Sequence, residues 1–251
     1  MKRIRIEHHG EVAIVGLDRD LTNAIDLRLV EELSETLQGV RRDPGVHGLV
    51  LGSSNEKFFS IGFDIPQLFG LAREDFKSFY QMFNRACLDL YTLPKPTIAA
   101  VTGHAIAGGC ILALCCDYRF IAQGRKLMGL NEIRLGVPVP YLADCVLRHT
   151  VGVRLARDIM DTGEFYQSEE LLQMGIVDQV LPLEQVLTRS IEKAGLLGAL
   201  PKKAFAMIKR NRIEVIEAQV LARLEEREQF FVDRWYSDEA RERLKAAMEK
   251  F

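Results

Sequence analysis

Residues 95–116 read KPTIAAVTGHAIAGGCILALCC. Residues 97–101 form an apolar run of strand length. The run enters a glycine turn, Gly103-His104-Ala105-Ile106-Ala107-Gly108-Gly109, and an apolar helix, CILALCC, follows at once. The same alternation continues outward on both sides. Residues 117–122 are again strand-like. Upstream, a helix over about 72–91 stops at Pro94 and Pro96, since proline cannot continue a helix. Before it, 53–62 reads as a loop ending in Ser60-Ile61-Gly62-Phe63-Asp64, and 45–51 as a buried strand. A further helix carries Leu29, Val30, Leu33 and Leu37 on one stripe. The chain opens on a β-hairpin, 3–7 and 12–17, turning at His9-Gly10. Alternating strands and helices up to about residue 135 predict an α/β core of crossover units.

After Pro140 the strands nearly vanish. Most of 143–251 reads as helix, broken near Gly163, Gly175, Pro182 and Pro201. The last stretch, 214–251, is highly charged, with Leu221, Leu224, Phe231, Trp235, Leu244 and Met248 at helical spacing. That stripe needs a surface to cover it, either the core or a second subunit.

The chain has 251 residues, enough for one large core or one core with a small appendage. Lys and Arg number 33 against 35 Asp and Glu, a net charge of −2. That balance carries no bulk attraction to nucleic acid or anionic lipid. The longest near-apolar stretch, 105–116, has 12 residues, where a membrane span needs roughly 20. The opening MKRIRIEHHGE has neither an apolar signal core nor an import leader, so a cytoplasmic location is expected. Cys87, Cys110, Cys115, Cys116 and Cys145 show no metal spacing and read as buried thiols in a reducing compartment. No metal site is expected, since no HExxH or triad-like pattern appears among the histidines. The P-loop and GxGxxG patterns are also absent.

Two glycine-containing turns are the sharpest chemical features. In SIGFD, Asp64 is placed to cap a helix beginning IPQL, with Pro66 in its first turn. The second turn, GHAIAGG, leads into CILALCC. Backbone N–H groups at helix starts are unpaired and favour negative charge. Two of them converging on one point would hold a developing oxyanion, each contributing about 3 kcal/mol. Taken alone, either turn reads first as simple punctuation. Glu132 lies in the mostly apolar Met128-Gly-Leu-Asn-Glu-Ile133. Burial there would raise its pKa toward that of a general base at neutral pH, although a lone glutamate at such a corner is more plainly an exposed one. The basic residues Lys202, Lys203, Lys209, Arg210 and Arg212 read as a solvated helix face or an anchor for a phosphate-bearing ligand.

Together these pieces resemble the crotonase superfamily, the enoyl-CoA hydratase/isomerase family. The matching segments are Asn23-Ala24-Ile25, the F-S-x-G-x-D of 59–64, and K-P-x-I-A-A-V-x-G-x-A-x-x-G-G over 95–109. Then come C-D-Y-R at 116–119, G-L-N-E-x-x-L-G at 129–136 and M-G-I-V-D-Q-V at 174–180, all in the family's order. The resemblance implies the crotonase (ClpP-like) fold, a spiral of ββα units with a helical C-terminal region. It divides the chain into a catalytic core, 1–195, and a region, 196–251, for trimerisation and active-site cover. It further implies an acyl-CoA thioester substrate, no cofactor beyond the coenzyme A of that substrate, and a homotrimer or dimer of trimers. Nucleic acid and membrane are not expected partners.

By position, the oxyanion donors would be the backbone N–H groups of Phe63 and Gly108, with Ala107 where many members have glycine. Hydratases of this family use two glutamates; here the first position is Ile111 and only Glu132 remains. A single carboxylate suits a Δ3,Δ2-enoyl-CoA isomerase, which moves a proton from C2 to C4 as in the β-oxidation of unsaturated fatty acids. By the same analogy Ala24, Ile25, Ile61, Gly62, Asp64 and Ile65 would lie along the bound substrate, with Ile111, Leu130 and Val137 forming, with Ile61, a dry wall for the acyl chain. Lys57 and the basic cluster from Lys202 are candidates for the CoA phosphates, and Phe231 and Trp235 for core packing or closure of the acyl pocket. Hydration or another thioester reaction, an RNA-binding member and a silent scaffold are the alternatives.

Overall fold

A computed structural model describes residues 2–249. The hairpin is β1 (Ile4–His9) and β2 (Val12–Leu17), with Gly10 at φ +57° in its turn. Helix α1 (Leu27–Arg42) starts where the Asp26 side chain accepts the Leu29 N–H at 2.8 Å, and buries Leu29, Val30, Leu33, Leu37 and Val40. Three turns of a spiral follow. The first is β3 (Gly48–Ser53), β4 (Phe58–Ser60), α2 (Ile65–Phe69) and α3 (Arg73–Tyr91). The second is β5 (Thr97–Val101), β6 (His104–Ile106) and α4 (Gly108–Leu114). The third is β7 (Tyr118–Ala122), β8 (Leu127–Gly129) and a 3-10 turn, Glu132–Leu135. Each turn places its first strand in one sheet and its second strand in another.

The larger sheet has the order β1-β2-β3-β5-β7-β10, the smaller β4-β6-β8-β9. Both are parallel except for the β1/β2 and β8/β9 pairs. β3, β5 and β7 are almost wholly buried, which explains why they read as continuous apolar runs. One face of the large sheet packs Val50, Ile98 and Phe120 against Val186 and Ala194 of α8 (Leu183–Gly198). The other joins the main core with α1 and α3. α4 is buried on every side and is correspondingly apolar all round.

The remaining elements are α5 (Tyr141–Val151), α6 (Val153–Thr162), β9 (Tyr166–Gln167), α7 (Ser168–Gln173), β10 (Gln179–Leu181), α9 (Lys202–Trp235) and α10 (Asp238–Met248). β10 extends the large sheet beside β7; it and the two-residue β9 are the strands described after Pro140, so strands nearly vanish there as the sequence suggested. The stretch expected as loop, 53–62, contains β4, and the glycine turn contains β6; both are three-residue strands inside segments rich in turn residues. The charged stripe of 214–251 belongs to two helices. Its Phe231, Trp235 and Leu244 are buried, whereas Leu221 is exposed; Lys250 and Phe251 lie outside the described residues. All five cysteines are buried and unpaired. Among the described residues no helix is long and apolar enough to cross a membrane.

α9 is bolted to the spiral by a buried ion pair. Lys209 Nζ lies 2.8 Å from Asp117 Oδ2, and Arg212 reaches Oδ1 at 2.5 Å. The same Asp117 accepts the Thr97 N–H at 3.0 Å and its hydroxyl at 3.1 Å. Lys209 is buried, so the basic cluster is not simply a solvated helix face. Lys209 and Arg212 are spent on Asp117, Arg210 pairs with Glu217 at 3.1 Å, and Lys202 caps the Pro44 carbonyl at 3.2 Å. None of the cluster lines the cavity described next.

Candidate active site

β4, β6 and β8 run parallel and side by side, pairing Phe58 with His104, and Ala105 and Ile106 with Met128 and Gly129. Their C-terminal ends therefore open at the same edge, where ligands of α/β sheets commonly bind. β4 leads into Ile61-Gly62-Phe63, β6 into Ala107-Gly108 and β8 into Leu130-Asn131-Glu132. The parallel register alone gathers both glycine turns and the glutamate, although about 70 residues separate them along the chain.

The two turns touch. A Cβ placed on Gly62, at φ +88°, would lie 3.0 Å from the Gly108 nitrogen and from the Ala107 Cβ. A Cβ on Gly109 would sit 2.3 Å from the Ser60 carbonyl oxygen, so only glycine allows α4 to start this close to β4. Ala107 holds φ +47°, ψ −117°, a conformation that suits glycine and strains alanine. Its N–H donates to the Gly129 carbonyl at 2.9 Å, tying the second turn to the end of β8. Neither the Phe63 nor the Gly108 N–H donates to a described residue. Gly108 is the first residue of α4, where an N–H has no partner within the helix.

Asp64 caps α2 as expected, accepting the Gln67 N–H at 3.0 Å, with Pro66 in the first turn. Asn23, fully buried at φ +47°, fastens the neighbouring loop. Its Oδ1 accepts the Arg19 N–H at 2.7 Å, and its Nδ2 donates to Ser53 Oγ at 2.8 Å and to the Phe59 carbonyl at 3.1 Å.

All of this borders one cavity of about 810 Å³. Of the residues singled out from the sequence, Ala24, Ile61, Phe63, Asp64, Ile65, Gly108, Ile111, Glu132 and Val137 line it. Ile25, Gly62, Leu130 and Lys57 do not. Ile25 and Leu130 point into the packed core, Gly62 presents only backbone against the second turn, and Lys57 is exposed beside the Phe58 ring. Phe58 itself lines the cavity, as do Phe231 and Trp235 from α9 and Arg243, Ala246 and Ala247 from α10. The α10 residues lie more than a hundred positions from Glu132; they fall in the 196–251 region that the resemblance implied as active-site cover, although none of the three was singled out. Phe63 packs edge-on against Phe79 and Phe83, with ring centroids at 5.0 and 4.9 Å, and Trp235 stacks on Phe76 at 4.3 Å. One wall is thus aromatic and dry.

Glu132 is 5% exposed, and its Oε2 is buried without a hydrogen-bond partner. Burial pushes its pKa up to about 7. The other carboxylates on the cavity are engaged or at the rim. Asp64 is held by Arg19 and by the Gln67 N–H, and Asp20 is largely exposed. Among the described residues lining the cavity, Glu132 is the single buried carboxylate with an oxygen to spare. Ile111, 2% exposed on the first turn of α4, presents an apolar side chain to the same cavity.

A spiral of ββα turns, with two unpaired backbone N–H groups and a buried carboxylate lining one largely apolar cavity, defines a crotonase-fold protein. The family model for enoyl-CoA hydratase/isomerase matches residues 7–251, and the chain belongs to that family. It is 29% identical over 240 residues to the mitochondrial enoyl-CoA delta isomerase 1 of Homo sapiens, covering 95% of this chain and 80% of that protein. It is also 27% identical over 220 residues to the crotonyl-CoA hydratase of Syntrophomonas wolfei, covering 87% and 84%. The solved structure of human mitochondrial delta3-delta2-enoyl-CoA isomerase superposes with a TM-score of 0.95 at 28% identity, covering 99% of this chain and 97% of that one. The enoyl-CoA hydratase of Bacillus halodurans, at 22% identity and a TM-score of 0.89, shares the fold.

Proposed function

We propose that this enzyme is a Δ3,Δ2-enoyl-CoA isomerase working with one acid/base, Glu132. The observation that carries the reading is the solitary buried carboxylate with a free oxygen, set among apolar walls beside two unpaired N–H groups. The thioester carbonyl accepts from the Phe63 and Gly108 N–H groups. The Glu132 carboxylate takes a proton from C2; the C2–H electrons move into the thioester, giving a dienolate whose charge rests on the bound oxygen. The C2–C3 double bond then forms as C4 takes the proton back from Glu132 and the C3–C4 double bond is lost. Atoms balance, no water enters, and no electron acceptor is needed, so the reading calls for no cofactor beyond coenzyme A.

Hydration needs a second polar group to hold and activate water. Ile111 offers none, which favours isomerisation over the hydratase reading. The acyl chain would run along Ile61, Ile111 and Val137, and the pantetheine past Ala24 and Ile65. Self-association as a homotrimer or dimer of trimers belongs to the same reading. It is supported by exposed apolar side chains on α8 and α9, among them Leu196, Met207, Ile208 and Val215. Sedimentation should give three or six copies.

The test is a coupled assay with a short 3-enoyl-CoA beside direct hydration of crotonyl-CoA, on wild type and Glu132→Gln. Isomerisation without appreciable hydration, lost in the variant, is expected. Dominant hydration would establish the hydratase reading instead. Silence with both substrates would turn attention to another thioester reaction or a non-catalytic role.

A further inference from the structure

We infer that Arg19 is a positioning residue that aims the Phe63 N–H of the oxyanion site. The inference rests on the oxyanion role proposed above. Phe63 faces Ile25 in an isolated parallel bridge. The Ile25 N–H donates to the Gly62 carbonyl at 2.8 Å, and the Asp64 N–H donates to the Ile25 carbonyl at 3.0 Å. Ile25 is thereby bonded to the residues on either side of Phe63, and in such a pairing the N–H of the middle residue points the other way. The direction of the Phe63 N–H is set by how firmly these two short segments are held together.

Arg19 straddles them. One guanidinium nitrogen donates to the Ala24 carbonyl on one segment, and the other donates to Asp64 Oδ2 on the opposite segment. Its Nε lies 3.1 Å from Asp26 Oδ2, an ion-pair contact that adds charge attraction without a hydrogen bond. Asp64 divides its oxygens, Oδ1 to the Gln67 N–H and Oδ2 to Arg19, so the clamp also reaches the start of α2. The Arg19 side chain is 12% exposed, that of Asp64 13% and that of Asp26 2%. Without the guanidinium, two enclosed carboxylates would flank the bridge, Asp26 keeping Arg3 at 3.4 Å and the Leu29 N–H at 2.8 Å, and Asp64 keeping only the Gln67 N–H. Their repulsion would act across the bridge that orients Phe63. Arg19 borders the cavity, but both terminal nitrogens donate to the two segments, so it acts through the backbone and not on the substrate. Lysine would replace it only in part, since a single ammonium keeps the charge but lacks the flat fork that reaches both segments.

The probe is a 4-dimethylaminocinnamoyl thioester of coenzyme A, whose absorption moves to the red when hydrogen bonds polarise its carbonyl. Wild type should red-shift the bound probe. Arg19→Met should lose most of that shift and lower kcat about 100-fold, the scale of a lost oxyanion donor, with KM changed less than about threefold. Arg19→Lys should recover part of both. Asp64→Asn keeps the oxygen that caps Gln67 and removes the charge Arg19 holds. It should lose part of the shift, and it carries the test if Arg19→Met does not fold. A folded Arg19→Met, or Asp64→Asn in its place, with the wild-type shift and kcat overturns the inference while leaving the oxyanion reading intact. No shift in wild type would instead sink the oxyanion reading itself.

Discussion

Glu132 couples catalysis to stability through one buried carboxyl. With its pKa near 7, kcat/KM for isomerisation should rise with pH through about 7, in a single-proton step, and level above it. Burial disfavours the charged form, so the folded state holds a proton that the unfolded chain releases above its ordinary value of 4.5. Stability therefore declines as pH climbs from about 4.5 through about 7. Glu132→Gln removes that penalty. Urea titrations should find the variant about 3 kcal/mol more stable than wild type at pH 8, and within about 1 kcal/mol of it at pH 5. The same variant should lose isomerase turnover by about 1,000-fold while still binding thioester. Ala107 is the opposite case, a residue strained where glycine would rest. Ala107→Gly should stabilise by about 1 kcal/mol, raising Tm by about 2–4 °C. A fall in Tm would mean that the positive φ at Ala107 carries no strain.

The elements that matter most are the shortest. β4, β6 and β8 have three residues each, yet their parallel pairing lines up every atom of the proposed chemistry. The hairpin, α1, α3, β5 and β7 were legible because each is long enough to show its period or its continuous apolar run. β4 and β6 were not, because three residues show no period and glycines surround them. On the proposed mechanism α4 disfavours hydration through Ile111, a buried position on its first turn. Ile111→Glu should bring measurable hydration of crotonyl-CoA and cost a few kcal/mol of stability, since it buries a carboxyl close to Glu132. If hydration stays absent in a folded variant, more than the missing second acid separates this chain from hydratases.

On the scale of the molecule, α9 and α10 close over the spiral and complete the cavity from the far end of the chain. Their hold depends on Lys209, buried against Asp117 between β5 and β7. Burial lowers the pKa of this lysine while Asp117 opposes that shift. Lys209→Met leaves Asp117 with Arg212 as its remaining cationic partner, beside the Thr97 hydrogen bonds, and should cost about 3–5 kcal/mol by chemical denaturation. A loss below about 1 kcal/mol would mean that the apolar contacts of Phe231, Val232 and Trp235 hold α9 by themselves.

Local order was written in the residues themselves. Prolines and glycines marked where helices stop and turns begin, Asp64 and Pro66 announced a capped helix, and the segments from Asn23 to Val180 carried the family resemblance. Such signals act over a few residues, through φ/ψ preference and local hydrogen bonds, so they survive in one dimension. The burial that raises the pKa of Glu132 comes from side chains contributed by distant parts of the chain. The same is true of the contact between Gly62 and Gly108, the engagement of Lys209 and the arrival of α10 at the cavity. Desolvation and close approach depend on what lies nearby in space, and only the folded chain decides that.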